Sequence, residues 1–410
     1  MGALGTLRKE MGYPGPAEKA RTKTSYGSVI APLGLILLAG CSRPVFIGAT
    51  SLAVAVLAID RSDDRESTVP DEGPFFNRGR DFGTDAYGGP FDLIINKGYA
   101  TTQWVTSGED SDRRMIFENP YGWRGVWNSV RHPGEAAAQG GGWGRLLRNE
   151  VIPFSTSDWK SWAWASNYTG HLLEGGIANR RLTEWYEARG VPGAAVLAGI
   201  TTMGASVINE AYEGGKGGVT GSTMIDLLAF DLGGVLLFQS DWVSRFFAQR
   251  AGAAIWPLQA SITAPDARLI NNGHHLIFKL PLRSSERVSL FVKTGMGLQL
   301  GLSFKRADGT SVSFAVGGES KAQFIDPVTK QEKAEFGLGA GLWWDHDNTL
   351  LASLLLDQAT NRFLALNVYP GVWNIADGQL GLWFTLDHDR NPYFGITGRK
   401  SLGIGVGFGF

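Results

Sequence analysis

Residues 335–344 read EFGLGAGLWW, and in this stretch an apolar side chain stands at every even-numbered position. The same alternation recurs over residues 298–305 and 380–387, and the chain ends in LGIGVGFGF over residues 402–410. Because successive side chains of a β-strand point to opposite faces, each stretch predicts a strand with one apolar face and one small or polar face.

Turn-forming pairs separate these stretches, among them Asp308-Gly309, Asp377-Gly378 and Asn391-Pro392. Over residues 252–410 the pattern predicts about eight to ten strands, most of them close to the roughly 9–11 residues that a tilted strand needs to cross a bilayer. The predicted fold class is therefore α+β, with a helical module followed by a small antiparallel transmembrane β-barrel whose lumen is filled by side chains.

A soluble β-sandwich is the alternative to a barrel, because its strands also alternate. On several strands, glycines occupy the face opposite to the apolar one. The core of a sandwich needs large side chains on its inward faces, so the glycines favour the barrel. The last residue, Phe410, ends an alternating aromatic strand and resembles the recognition signal of bacterial outer-membrane barrel proteins. That resemblance implies an outer-membrane location.

Composition and charge exclude some classes of partner. The chain has 410 residues, and its 38 Lys+Arg against 39 Asp+Glu leave a formal net charge of -1. A chain this neutral lacks the overall positive charge of nucleic-acid-binding proteins. The predicted partners are membrane lipids and other proteins of the cell envelope, and no nucleic acid.

The amino-terminal region carries the chain's one cysteine, which excludes an intramolecular disulfide. Basic residues precede an apolar segment at 26–41, which ends in LAGC at residues 38–41. This motif resembles the bacterial lipobox, and the resemblance implies a signal peptide over 1–40 and acylation of Cys41. The alternatives are a buried thiol at the end of an apolar helix, and an uncleaved membrane hairpin over residues 26–59.

Composition divides the rest of the chain into further regions. These are a lipidated tether at 41–90, a Trp- and Gly-rich irregular region at 91–155, a three-helix module at 156–250 and the barrel at 252–410. Within the helical module, the patterns predict helices over about 157–189, 192–213 and 220–250. Alternatively, the first helix is broken at Gly175-Gly176.

Polar residues recur at the centres of the predicted helices, and four of them are candidate catalytic residues: His171, Glu174, Glu210 and Asp226. His171 and Glu174 are three positions apart, hence on one helix face. Buried carboxylates and a histidine are costly unless they are paired or functional. The order of these polar residues resembles VanZ-like helical membrane proteins and barrel lipoproteins, which implies no catalytic assignment.

Two functions follow from these patterns. The favoured one is an outer-membrane lipoprotein with a structural or assembly-partner role in the envelope and a helical module facing the periplasm. The alternative is a membrane-embedded hydrolase or acyltransferase acting on lipid or lipopolysaccharide, in which His171 is the general base and Glu174 or Glu210 orients it. A solute channel is disfavoured by the small number of strands.

The sequence predicts no cofactor and no metal. Its glycine runs lack the strand–turn–helix setting of a nucleotide-binding loop. The repeated tripeptides Asp345-His346-Asp347 and Asp387-His388-Asp389 have ligands that suit calcium or magnesium. We interpret both as solvated polar turns.

Overall fold

The computed structural model describes residues 73–103, 120–155, 163–213, 218–264, 267–282, 285, 287–295, 297–325, 332–358, 362–373, 376–399 and 403–409. The predicted signal peptide, Cys41, most of the predicted tether and Phe410 lie outside these residues. Acylation of Cys41 and the role of Phe410 therefore stay predictions.

The described residues before 251 form eight helices, and three of the helices contain a π-helical segment. The helices are α1 (Pro90–Gly98), α2 (Pro120–Arg131), α3 (Pro133–Gln139), α4 (Trp143–Glu150), α5 (163–187), α6 (Ala194–Glu213), α7 (Gly221–Leu237) and α8 (Asp241–Arg250). The π-helical segments are Asn167–Glu174 in α5, Asp226–Asp231 in α7 and Phe246–Arg250 in α8. Short 3₁₀ turns lie at Gly83–Ala86 and Ala100–Gln103.

Local sequence explains where several helices begin. Pro90 and Pro133 stand in the first turn of α1 and α3, where a missing backbone N–H costs no hydrogen bond. Thr220 caps α7, because its hydroxyl accepts a hydrogen bond from the backbone N–H of Thr223.

Among the described helices, α6 is long and apolar enough to cross a membrane, and α7 and α8 pass the same test as a pair bent by 84°.

Helix α5 continues without a break through Gly175 and Gly176, where the sequence analysis allowed for one. These glycines lie at a close contact between α5 and α7. A Cβ atom on Gly176 would lie 2.8 Å from the backbone oxygen of Gly234, and one on Gly234 would lie 2.4 Å from the backbone oxygen of Leu172. Both residues are therefore small because the two helix backbones approach each other.

Adjacent glycines in α7 allow a matched test of this contact. We expect Gly234→Ala to destabilise the protein by about 1–3 kcal/mol, because its methyl group would overlap the backbone of α5. Gly233→Ala is the control: its Cβ would lie 3.5 Å from Leu172 Cδ1, an ordinary contact, and alanine favours a helix by about 1 kcal/mol. Thermal melting should lower the Tm of the first variant and preserve or raise that of the second. Equal melting of the two variants would contradict the described contact.

The described residues from 254 onward form thirteen strands. They are β1 (Ala254–Pro257), β2 (Ser261–Ala264), β3 (Leu269–Ile270), β4 (His274–Pro281), β5 (Val288–Thr294), β6 (Gly297–Lys305), β7 (Thr310–Ile325), β8 (Glu332–His346), β9 (Thr349–Asp357), β10 (Leu364–Val368), β11 (Leu380–Leu386), β12 (Pro392–Gly398) and β13 (Gly405–Gly409). From β4 to β13, each strand pairs antiparallel with the next in the sequence.

All thirteen strands belong to one sheet, in the order β1-β4-β5-β6-β7-β8-β9-β10-β11-β12-β13-β2-β3. The sheet is mixed, because β13 pairs parallel with β2. Its hydrogen bonding is open: among the described residues, β1 and β3 are the two edges and do not pair with each other. However, β1 and β2 are linked by only residues 258–260, so the chain passes directly from one edge strand to the strand next to the other edge.

The helices cover one part of the sheet. Phe278 of β4 is opposite Val292 of β5, which is opposite Leu300 of β6. These side chains contribute to one hydrophobic core with Ile177 of α5 and Phe246 of α8. The helical module therefore packs on the apolar face of β4–β6.

The predicted α+β class is confirmed, with a helical module before a large sheet. The prediction of about eight to ten strands and of purely antiparallel pairing was wrong. The predicted strand length was also wrong for most strands, because nine of the thirteen described strands have eight residues or fewer. The additional strands β1, β2 and β3 have only 4, 4 and 2 residues, too few for alternation to be visible in the sequence. The parallel pair arises because the last strand joins one of these short strands near the start of the sheet.

Candidate functional site

The candidate site is centred on an ionic contact between His171 and Asp231. His171 Nδ1 lies 3.0 Å from Asp231 Oδ2, and Lys97 Nζ lies 3.3 Å from the other carboxylate oxygen, Oδ1. The side chain of Asp231 is completely buried, and that of Lys97 is 8% exposed. One buried carboxylate thus links α1, α5 and α7.

On its other side the imidazole faces two more carboxylates. His171 Nε2 lies 4.0 Å from Glu210 Oε1. His171, Glu210 and Asp226 each offer one ligand atom, and these three atoms lie within 4.8 Å of one another. Ser222 Oγ donates a hydrogen bond of 3.1 Å to Asp226 Oδ2 and so orients that carboxylate. We call Lys97, His171, Glu174, Glu210, Asp226 and Asp231 the ionic cluster.

Two π-helical segments place most of these side chains. Asp226 and Asp231 are the first and last residues of the segment in α7. In a regular α-helix, residues five positions apart point roughly 140° away from each other, whereas the wider π-helical turn brings them toward one side. His171 and Glu174 both lie on the π-helical segment of α5. π-helical segments occur frequently at functional sites.

Glu174 lies where the helical module meets the sheet. Its Oε1 is 3.7 Å from Nδ1 of His274 at the start of β4. A Cβ atom on Gly295, in the turn after β5, would lie 3.2 Å from Glu174 Oε2. Glu174 therefore extends the ionic cluster toward the strands.

The charges of the cluster stabilise one another. Burial tends to lower the pKa of His171, but Asp231 and Glu210 outweigh it, so the pKa of His171 is raised. Burial tends to raise the pKa of Asp231, but Lys97 and His171 outweigh it, so the pKa of Asp231 is lowered. The pKa of Lys97 is also raised: burial opposes its charge, and Asp231 and Glu174 outweigh the burial. Asp231 and Lys97 are thus held in their charged forms.

Burial raises the pKa of two other carboxyls. That of Glu174 rises to about 7, against opposing effects of Lys97 and His171. That of Asp92 in α1 rises to about 6, although Arg181 and a 2.8 Å hydrogen bond from Asn96 oppose the rise. Each of these carboxyls therefore binds a proton more tightly in the folded protein than in the unfolded chain.

These two carboxyls predict how stability depends on pH. Between their ordinary pKa values, 3.8 and 4.5, and the folded-state values of about 6 and 7, these two carboxyls hold more protons in the folded protein than in the unfolded chain. The stability that they contribute at low pH is therefore lost as the pH rises through this window. Other titratable groups also shape the pH profile of the parent, so the test is the difference between variant and parent. From pH 5 to pH 8, we expect the Tm of the parent to fall relative to that of Glu174→Gln. The exposed Glu187 supplies the control, Glu187→Gln, whose Tm should keep a constant difference from that of the parent. A difference between Glu174→Gln and the parent that does not change over this window would contradict the assignment.

Sequence reasoning identified four of these six residues and missed the roles of Lys97 and Asp231. The spacing of His171 and Glu174 placed them on one helix face. Lys97 has no comparable signal, because its partner Asp231 is 134 positions away. The proximity of Glu210 and Asp226 to His171 likewise depends on how α6 and α7 pack.

The two repeated tripeptides have other partners. Asp345 contacts Lys279 Nζ at 2.6 Å, and Asp347 contacts Lys305 Nζ at 3.2 Å and Arg80 at 3.4 Å. Asp387 accepts hydrogen bonds of 2.8 Å from the backbone and side-chain nitrogens of Asn391. Asp387 and Asp347 fit the interpretation as solvated polar turns, whereas Asp345 does not, because it is fully buried within β8.

The interior face of the sheet carries further ionic contacts. Lys293 Nζ lies 2.5 Å from Glu319 Oε1, and Gln299 Nε2 donates to the same oxygen at 2.7 Å. These side chains line a small cavity together with His274, His275 and Arg362. Apolar side chains such as Leu355 and Leu356 complete its lining, so the ionic contacts border a cavity of mixed polarity.

No protein-family model, curated protein or solved structure matches the chain. The resemblances to the lipobox and to VanZ-like proteins therefore stay predictions.

Proposed function

We propose that this protein is an integral protein of the bacterial outer membrane, in which the sheet contacts lipid through the part of its apolar face that the helices leave uncovered. The observation that carries the proposal is the distribution of polarity across β7–β13. The outward face is apolar and exposed, whereas the inward face is largely polar or small and buried.

Cross-strand register defines the outward face. One row of directly opposed residues runs across seven neighbouring strands, and every member is a Leu or Phe. Their exposed fractions range from 36% to 46%. The row is Phe314, Leu342, Leu354, Leu366, Phe384, Phe394 and Phe408. A contiguous apolar surface of this kind on a protein marks a membrane or protein contact.

The opposite face has the reverse character. A neighbouring row of opposed residues includes Ser313, Ser353 and Asn367, all buried, beside Trp343 and Trp383. In transmembrane β-barrels, apolar residues face outward and polar residues face inward, which is the opposite of a soluble sandwich.

The link between β1 and β2 supports a curled sheet. From Pro257 to Ser261 the chain can extend at most roughly 14 Å, so the two ends of the strand order lie near each other. We therefore propose that the sheet curls into a barrel-like wall that crosses the membrane, and that the helices are not its spanning part. The large side chains inside, such as Trp256, Phe291 and Trp343, disfavour a solute channel.

The structural role stays the favoured function. Acylation of Cys41 and contact with other envelope proteins are parts of the same proposal. The helical module packs on β4–β6, beside the rows of the same face that we propose to contact lipid. In this proposal the ionic cluster stabilises the packing of α1, α5, α6 and α7 next to the sheet.

Membrane fractionation tests the location. We expect the full chain to sediment with outer membranes, to resist extraction by sodium carbonate, and to shift its gel mobility when heated. Cys41→Ser should accumulate as a larger precursor. A monodisperse chain in detergent-free buffer, with a mobility unchanged by heat, would contradict the proposal.

The convergence of His171, Asp231 and Glu210 favours a second candidate function, hydrolysis or acyl transfer on lipid or lipopolysaccharide. The side chain of His171 is 14% exposed, and Asp231 fixes its orientation. In this role His171 Nε2 accepts a proton from water or a hydroxyl group. If His171→Ala and Glu210→Ala melt at or above the parent temperature and abolish release of fatty acid from lipid extracts, the enzyme is supported. If both variants melt lower and release is absent from the parent too, the structural role is supported.

A further inference from the structure

We propose that His171, Glu210 and Asp226 bind one divalent cation of the transition series, such as Zn²⁺. The proposal goes beyond the membrane location and does not rest on it.

The spacing of the three ligand atoms suits a shared ion. They lie within 4.8 Å of one another, and His171 Nε2 is 4.0 Å from Glu210 Oε1. Ligand atoms that bind one Zn²⁺ at about 2.1 Å lie roughly 3–4 Å apart, so a small movement of the side chains closes the site. Glu210 and Asp226 are only 3% and 5% exposed, so the helix packing restrains them.

The supporting contacts are those of a histidine ligand. With its Nδ1–H donating to Asp231, His171 presents the Nε2 lone pair toward Glu210 and Asp226. Metal-binding histidines almost always donate their second ring N–H to a carboxylate or carbonyl in this way. Lys97 holds the other oxygen of Asp231, and thereby fixes the imidazole from a distance. These contacts are independent of the acidic residues at the site itself.

The donor atoms favour a divalent ion of the transition series. One imidazole nitrogen and two carboxyl oxygens lie close together. An imidazole ligand suits Zn²⁺ or another transition metal better than Mg²⁺ or Ca²⁺.

The sequence indicated no metal at these residues, because the ligands lie 39 and 16 positions apart and form no short motif. Three protein ligands leave at least one coordination position for water.

Metal titration of the purified full chain in detergent micelles tests the proposal. After treatment with EDTA and dialysis, we expect the parent to bind one Zn²⁺ per chain by calorimetry and elemental analysis, and its Tm to rise by at least about 4 °C. Mg²⁺ at the same concentration should bind far more weakly. Asp226→Asn, which keeps the size of the side chain, should lose stoichiometric binding. Ser222→Ala should weaken binding about tenfold, because it removes the contact that orients Asp226.

His388→Ala is the matched control, since His388 lies in the turn after β11, and it should bind as the parent does. The proposal is overturned if the parent binds no stoichiometric Zn²⁺, if Asp226→Asn binds as well as the parent, or if Mg²⁺ binds as tightly as Zn²⁺. The measurement on the parent needs no variant to fold. None of these results depends on membrane fractionation, so the two proposals fail separately.

Discussion

Replacing Asp231 with alanine is expected to lower the free energy of unfolding by about 3–5 kcal/mol, because it leaves Lys97 and His171 buried without their shared carboxylate. Thermal or urea denaturation in detergent micelles measures the loss. Asp241→Ala in α8 is the matched control. Its carboxylate also contacts a cation, Arg180 at 2.7 Å, but its side chain is 67% exposed. We expect this control to cost at most about 1 kcal/mol.

A double variant separates the ionic contact from a simple packing defect. Lys97→Met removes the charge that Asp231→Ala leaves unpaired, so the double variant should lose less stability than the sum of the two single losses. Strict additivity would mean that Lys97 and Asp231 act independently. A loss no larger than that of Asp241→Ala would contradict the buried ionic cluster altogether.

The second large effect is expected at Val316 of β7, which is 64% exposed on the outward face of the sheet. In water, an arginine at such a position changes stability by no more than about 0.5 kcal/mol. On a surface that contacts lipid near the middle of the bilayer, it costs about 2–4 kcal/mol. We therefore expect Val316→Arg to reduce assembly into membranes and to lower stability in urea titrations in lipid vesicles.

Ala307 provides the control for this substitution. It is exposed in the turn between β6 and β7, outside the apolar rows of the strands. Ala307→Arg should assemble and unfold like the parent. If Val316→Arg behaves like Ala307→Arg, the outward face contacts water or a protein partner, and the proposal of a lipid-facing sheet is wrong.

Most of what the sequence predicts about the fold comes from the alternation of apolar with small or polar residues. The stretches around Leu300, Leu338 and Leu382 predicted strands, and all three lie in strands of the sheet. Neither β1 nor β2 was predictable in this way, because each has four residues and owes its conformation to distant partners. The glycine-rich inner face also has a reason beyond local sequence. A Cβ atom on Gly341 would lie 2.2 Å from the ring of Trp343, so the glycine leaves room for a large side chain.

The ionic cluster was predictable only in part, for a related reason. Helical periodicity relates residues within one helix, such as His171 and Glu174, and gives no information on which helices are neighbours. The position of Asp231 between Lys97 and His171 depends on the packing of three helices. The π-helical segments were also hidden, because no residue pattern in α5 or α7 distinguishes them from ordinary helix.

The parallel pairing of β13 with β2 has a consequence for how the chain folds. Gly405 is opposite Ser261, so this contact closes a loop of 144 positions, whereas the neighbouring hairpins join strands that follow one another directly. Loop-closure entropy makes long-range contacts slow to form. The hairpins can therefore assemble in sequence from β4 onward, and docking of the last strand completes the sheet. We therefore expect the pairing of β13 with β2 to be a late step in the folding of the sheet.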